Sequence, residues 1–253
     1  MIKALGLHPY SRLGAMEALE GARILERRLN VVANDMANVD TVGFKTQHVT
    51  FHEYFLSQVD KTKRTAKGEF EWTDFSQGSL EHTGNPLDFA ITGKGFFAVK
   101  TPAGICYTRA GNFTLNAQDQ LVTQQGYPVL GRGGAPIVLK DTTGKGIWLS
   151  GDGRLYVDGE PVDSFKIVTF NNPNGLSRIG DNLFMQTPNS GPPQEAKKAG
   201  VRQGYIEDSN VNPVTTMVNL IEIYRGYEAE QKTLKTVDQL NTQAAREIGR
   251  LRT

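Results

Sequence analysis

The residues best suited to chemistry in this chain are four histidines (His8, His48, His52, His82), a lone cysteine (Cys106) and scattered carboxylates. His48 and His52 stand four apart, the spacing that puts two imidazoles on one helix face as zinc ligands. The run that carries them, HVTFHEYF, is β-branched and aromatic, which disfavours a helix. Glu53 would point elsewhere on any helix. A single cysteine offers neither an internal disulfide framework nor a thiolate cluster. The histidines therefore read as ordinary polar residues, and no metal site is expected. The glycine pairs GKG (93–95 and 144–146) and GDG (151–153) lack the G-x4-GK-[ST] spacing and do not complete GxGxxG before a helix. They read as hairpin glycines. There is no G-x-S-x-G elbow and no Ser/His/Asp order that suggests a triad. Glu69 and Glu71 occupy alternate positions of a strand-like stretch, with nothing near to perturb them. No catalytic residue and no cofactor is expected.

The bulk numbers agree with a non-catalytic reading. An apolar fraction of 38% and a charged fraction of 22% are ordinary for a folded domain. A net charge of +1 supplies no global field toward nucleic acid. The first twenty residues lack the sustained apolar region of a secretory signal, and no later run approaches the 18 apolar residues of a membrane span. The expectation is a chain without membrane insertion that is cytosolic or leaves the cytosol by a route that reads no cleaved signal.

Two amphipathic patterns must position whatever this chain does. Ala15, Ala18, Ala22, Leu25, Leu29, Val32 and Met36 recur every three or four residues. Met217, Leu220, Tyr224, Tyr227, Gln231, Leu234, Val237, Leu240, Ala244, Ile248 and Leu251 do the same. Each draws a narrow stripe, the seam of a coiled coil rather than the wide face of a globular helix. The first helix is expected from Tyr10 or Ser11 to about Asn38. It stops in ANVDTVGF, where Asn38, Asp40 and Thr41 favour turns and Gly43 permits positive φ. The second is expected from Pro213 to Leu251, capped by Asn212 with Pro213 at its first position. Gly226 would weaken its interior by about 1 kcal/mol relative to alanine.

The middle reads as β. DKTKRTAKG (60–68) reads as a solvated basic loop, and FEWTDF (70–75) as a short strand. DFAITGKGFFAVK suggests a strand pair around Gly93–Gly95. ICYTRAGNFTLNAQDQLVTQQGYPVL suggests three short strands broken at Ala110–Gly111 and Asn116–Asp119. Asp158-Gly159 is a type I′ hairpin signal. SFKIVTF alternates with period 2, and QTPNSGPPQEAKKAG (186–200) reads as a Pro/Gly linker or extended arm. The fold class expected is α+β: long N- and C-terminal helices forming a coiled-coil bundle, with a central, mostly antiparallel β-domain. The expected divisions are residues 1–45 (helix and turn), 46–86 (connection), 87–200 (β-rich outer domain with its arm) and 201–253 (C-terminal segment and helix).

LNVVANDMANVDTVGFK (29–45) resembles the N-terminal signature of bacterial flagellar rod and hook proteins, roughly L-x-x-[VI]-[AS]-N-N-[LMI]-A-N-x-x-T-x-G-[FY]-[KR]. Leu29, Val32, Asn34, Ala37, Asn38, Thr41, Gly43, Phe44 and Lys45 match, and Asp35 stands where a second Asn is usual. GNPLDFAITGKGFFAV (84–99), YTRAGNFTLNAQDQLVTQQGYPVLG (107–131) and GYIEDSNVNPVTTMVNLIEIYRGYE (204–228) are similar to the middle and C-terminal signatures. Asn210, Asn212 and Pro213 fall in the last. The resemblance spans nearly the whole chain, in order. Its length, its SNVNP helix start and the short stretch between GFK and GNPLD place it nearest the proximal rod members, with the distal rod members as the alternative. A secreted β-domain binding module, which would need an aromatic-lined groove, is a more distant one.

The resemblance implies a structural subunit of the basal-body rod that polymerises through its terminal helices into a helical tube around the export channel and helps transmit torque. The implied partners are copies of itself, other axial proteins and the flagellar type III export apparatus. The implied location is the periplasmic rod of the basal body, reached without a cleaved signal peptide. Ala22, Leu25, Leu29, Val32 and Met36 are expected to meet Met217, Leu220, Tyr224, Leu234, Ile248 and Leu251 within or between subunits.

Overall fold

The computed structural model describes residues 9–56, 64–140, 146–150, 153–196 and 198–250. The chain divides into two compact units. One joins residues 1–36 to residues 212–253, and the other holds residues 37–211.

The first unit is a pair of helices, α1 (Pro9–Ala37) and α2 (Pro213–Arg250). Asn212 caps α2 as its sequence suggests: Oδ1 accepts from the Val214 and Thr215 amides at 3.0 and 3.1 Å. The two helices approach through small residues. A Cβ on Gly21 would lie 3.3 Å from Glu230, and one on Gly226 would lie 3.4 Å from Leu25. The pairs 21/230 and 25/226 advance in opposite directions, so the helices run antiparallel. Ala18 and Ala22 are buried on the same side of α1.

The coiled-coil bundle does not form. Among the described residues there is one helix at each end, and the large remainder between them is β. The stripe drawn from spacing coincides with the covered side only in part: Ala18 and Ala22 are buried, and Leu220, Tyr227, Gln231, Leu234 and Val237 are half-buried. On α2 Ile223 is buried (6% exposed), whereas Met217, Tyr224 and Leu240 are 51, 50 and 60% exposed. On α1 Val31 is buried, while Leu25, Leu29, Val32 and Met36 are half-buried. One partner covers only one side of each helix. The side chains of Ile248 and Leu251 lie outside the described residues.

The second unit is built from several small antiparallel sheets. The largest has the order β13 (Ser177–Gly180), β14 (Leu183–Met185), β6 (Gly104–Thr108), β5 (Phe96–Thr101), β12 (Ile167–Thr169), β15 (Gln194–Glu195). β5 is its hub. Phe97 and Val99 face one core cluster, with Phe97 edge-on to Phe113 and Phe165 at 5.1 and 5.2 Å between ring centroids. Phe96 and Ala98 face a second cluster around Tyr107, Phe170 and Phe184. A strand buried on both faces is continuously apolar, as FFAV is. β9 (Ile147–Leu149), β10 (Arg154–Val157) and β11 (Glu160–Ser164) form a three-stranded sheet. Its Asp158-Gly159 turn has φ of 53° and 87°, the type I′ hand expected from the pair. β7 (Thr114–Leu115) pairs with β8 (Leu121–Val122) across Asn116–Asp119.

Three local expectations change. β4 (Phe89–Thr92) and β5 flank GKG but do not pair: β4 joins β16 (Gly200–Gln203), and β5 joins β6 and β12. Residues 64–68, read as loop, begin β2 (Arg64–Thr73), which pairs over ten residues with β1 (Gln47–Leu56). The 186–200 arm is not free chain throughout, because Gln194 and Glu195 extend the large sheet. In each case a distant partner overrides local composition.

Candidate functional site

β1 settles the histidine pair. Four residues along a strand separate His48 from His52 by roughly 13 Å, too far to share a zinc ion. His48 is exposed, with its ring tilted against Trp72 at 4.4 Å between centroids. Among the described residues no group of three His, Cys, Asp or Glu could hold a metal. A hollow beside Arg109 is walled by Trp72, Phe75, Phe96 and Phe170. Its phenyl rings are engaged with the core, Phe75 edge-on to Phe96 at 5.3 Å and to Phe184 at 5.1 Å.

The signature residues gather instead where the chain enters and leaves the β unit. Past α1, Asn38 accepts from the Thr41 hydroxyl at 3.1 Å, and the Thr41 and Phe44 amides close successive turns onto Asn38 O and Thr41 O. Gly43 has φ of +68°, and a Cβ there would lie 2.4 Å from the Ala110 amide nitrogen. Only glycine meets both demands. Its own amide donates to Glu207 O at 2.7 Å. Glu207 ends β17 (Tyr205–Glu207), which pairs with β3 (Leu80–His82). Phe44 is buried under the Arg178 guanidinium, 4.4 Å from its ring centroid, a cation–π contact. Arg178 also donates to Lys45 O at 3.1 Å, and Asn182 donates to Val42 O at 3.0 Å. The tight β13–β14 turn therefore clasps the entry segment.

The exit segment locks onto the same place. Asn210 Oδ1 accepts from both the amide and the hydroxyl of Thr46 at 2.8 Å, and its Nδ2 donates to Asp74 O at 2.8 Å. Beneath lies a buried ionic cluster. Lys45 Nζ donates to Glu207 Oε1 at 2.5 Å and to Ser76 O at 2.6 Å. Arg109 donates to Glu207 Oε2 at 3.1 Å and to Gly93 O at 2.7 Å. The Gly78 amide donates to Glu207 Oε1 at 3.1 Å. Lys45 and Glu207 side chains are fully buried. Burial pulls the Lys45 ammonium below its ordinary value of 10.5, and Glu207 only partly opposes this. Burial lowers Arg109 as well.

Of the residues singled out from spacing and resemblance, Asn38, Thr41, Gly43, Phe44 and Asn210 meet at this junction, while Asn212 and Pro213 open α2. Asn34 is exposed on α1. Spacing did not single out Arg109, Arg178, Asn182 or Glu207. The available signal was a carboxylate in an otherwise apolar strand, YIE, and a cation in the strand–turn YTRAG. Nothing local says that these meet.

The comparisons with known proteins bear on the same segments. Residues 90–157 match a family model described as the flagellar hook protein FlgE/F/G D1 domain. Residues 202–247 match one described as the flagellar basal body rod FlgEFG protein C-terminal. The flagellar basal-body rod protein FlgF of Mesorhizobium japonicum is 34% identical over 92% of this chain and 96% of its own. The chain belongs to the flagellar basal-body rod protein family. The FlgF protein of Rhizobium meliloti is 36% identical over 85% of this chain and 89% of its own, and the FlgG protein of Bacillus subtilis 32% over 88% and 94%. The rod protein described here is FlgF-like, a structural subunit of the flagellar basal body, and Asn38, Thr41, Gly43, Phe44 and Asn210 of its signature lie where its entry segment meets its exit segment.

Proposed function

We propose that this rod protein polymerises through the outward side of its helix pair, contacting copies of itself and other axial proteins in a tube around the export channel. It helps transmit torque there, and its role is mechanical rather than catalytic. It reaches the periplasmic rod through the flagellar type III apparatus. The observation that supports this reading most is the exposed apolar row on the first turns of α2. Val214 is 72% exposed, and Met217, Val218, Ile221 and Tyr224 lie on the open side with it. A contiguous apolar strip on a folded protein marks a contact surface. Of the residues proposed for assembly, Met217 and Tyr224 lie in this row. Ala22, Leu25, Leu29, Val32, Met36, Leu220 and Leu234 are turned at least partly toward the interior of the helix pair.

Replacing Val218 and Ile221 together by Asp tests the proposal. The β unit should keep its stability to within about 0.5 kcal/mol, since exposed changes perturb little. A strain carrying this variant as its sole copy should show basal bodies without hooks under the electron microscope, and it should not swim. Swimming at the parental rate would rule the reading out.

A further inference from the structure

The cluster under the signature is poorly arranged for stability. Two cations, Lys45 and Arg109, share the Glu207 carboxylate. Arg109 Nε is buried without a hydrogen-bond partner among the described residues. A buried ionic group forfeits hydration that apolar side chains of similar volume would not need. What the cluster has is direction. Lys45 binds Ser76 O and Glu207, Glu207 binds the Gly78 amide, and Arg109 binds Gly93 O. Those bonds join the entry segment at 43–46 to the exit segment at 207–210 and to the stretches on either side. Apolar packing could fill the same space and still let the two segments slide by a fraction of a residue.

We propose that Lys45 is a positioning residue for assembly, pinning the entry segment in register against the exit segment while adding little to the stability of the fold. The proposal rests on the assembly reading above, because register matters when neighbouring subunits pull on both helices. The charge balance makes it testable. Removing Lys45 leaves Arg109 and Glu207 as a matched pair, so no buried charge is stranded. Asp74, the other carboxylate that acts on Lys45, is held by the Ser76 amide and hydroxyl at 2.8 and 2.9 Å.

The full-length Lys45→Met protein, in monomeric form, should melt at or above the parental midpoint. Its Gly43 and Thr46 amides, bonded to Glu207 O and Asn210 Oδ1, should exchange with deuterium about tenfold faster, a local opening. The Phe97 and Val99 amides should not change. As the sole copy it should abolish swimming, and Lys45→Arg, which keeps a charged donor there, should restore both swimming and slow exchange. Unchanged exchange at Gly43 would overturn the proposal, as would parental swimming. A lowered midpoint with exchange raised throughout would do so too, as would failure to fold, because either makes Lys45 a stability residue. Exchange in the monomer does not depend on polymerisation. If the Val218 and Ile221 variant swims while Gly43 exchange still rises in Lys45→Met, the assembly reading fails and the register pin stands.

Discussion

At the scale of single residues, Asn38, Thr41, Gly43, Phe44 and Asn210 are each engaged within the chain by hydrogen bonds, turns or packing. Gly43 is required twice, by its left-handed φ and by the Ala110 backbone 2.4 Å from where a Cβ would sit. Gly43→Ala should therefore cost more than about 2 kcal/mol, combining backbone strain with a clash against an atom that cannot rotate away. A chemical denaturation midpoint would show it, and a loss under about 0.5 kcal/mol would contradict the geometry. Asn210 spends both ends of its amide on Thr46 and Asp74. Its type was legible in the sequence, but its partners, 136 and 164 positions away, were not.

At the scale of elements, local signals placed both helices and several hairpins. α1 and α2 end within a residue or two of where period, cap and turn residues put them. Ala18, Ala22 and Leu25 of the α1 stripe lie on its inward side, but a leucine-like stripe says nothing about how near a partner can come. Gly21 and Gly226 decide that distance. A methyl group on Gly226 would meet Leu25 at 3.4 and 3.7 Å, ordinary contact. Gly226→Ala should stabilise the helix pair by about 0.5–1 kcal/mol, through lower backbone entropy in the unfolded chain and better helix propensity. Helical ellipticity on heating reads this directly, and a fall in midpoint would mean the helices approach more closely at 226 than described. β4 and β5 show the converse limit. Each was legible as a strand, yet their assignment to different sheets was not, since a turn sequence such as GKG serves a crossing as well as a hairpin.

For the whole molecule, the buried cluster ties stability to pH. Lys45 is lowered in the folded state, so between its folded value and 10.5 the unfolded chain binds more protons. Stability from this group therefore rises with pH across that window and levels off above it. The stability of the parent relative to Lys45→Met should shift in the parent's favour as pH climbs from neutral toward 10.5, measured by denaturant titration at several pH values. A difference that is flat with pH would mean that Lys45 titrates normally in the fold.

Period, caps, turn glycines and four ordered motifs were enough to place the helices, to forecast a β-rich middle and to mark this chain as a rod protein, because each is written in residues close together along the chain. The meeting of Lys45 with Glu207, 162 positions later, the sorting of strands among sheets and the closeness of the two helices at Gly21 and Gly226 came only with the tertiary structure. These depend on which distant surfaces exclude water together and on how closely two backbones can approach. Such contacts are settled by the packed whole, and no short window of sequence encodes them.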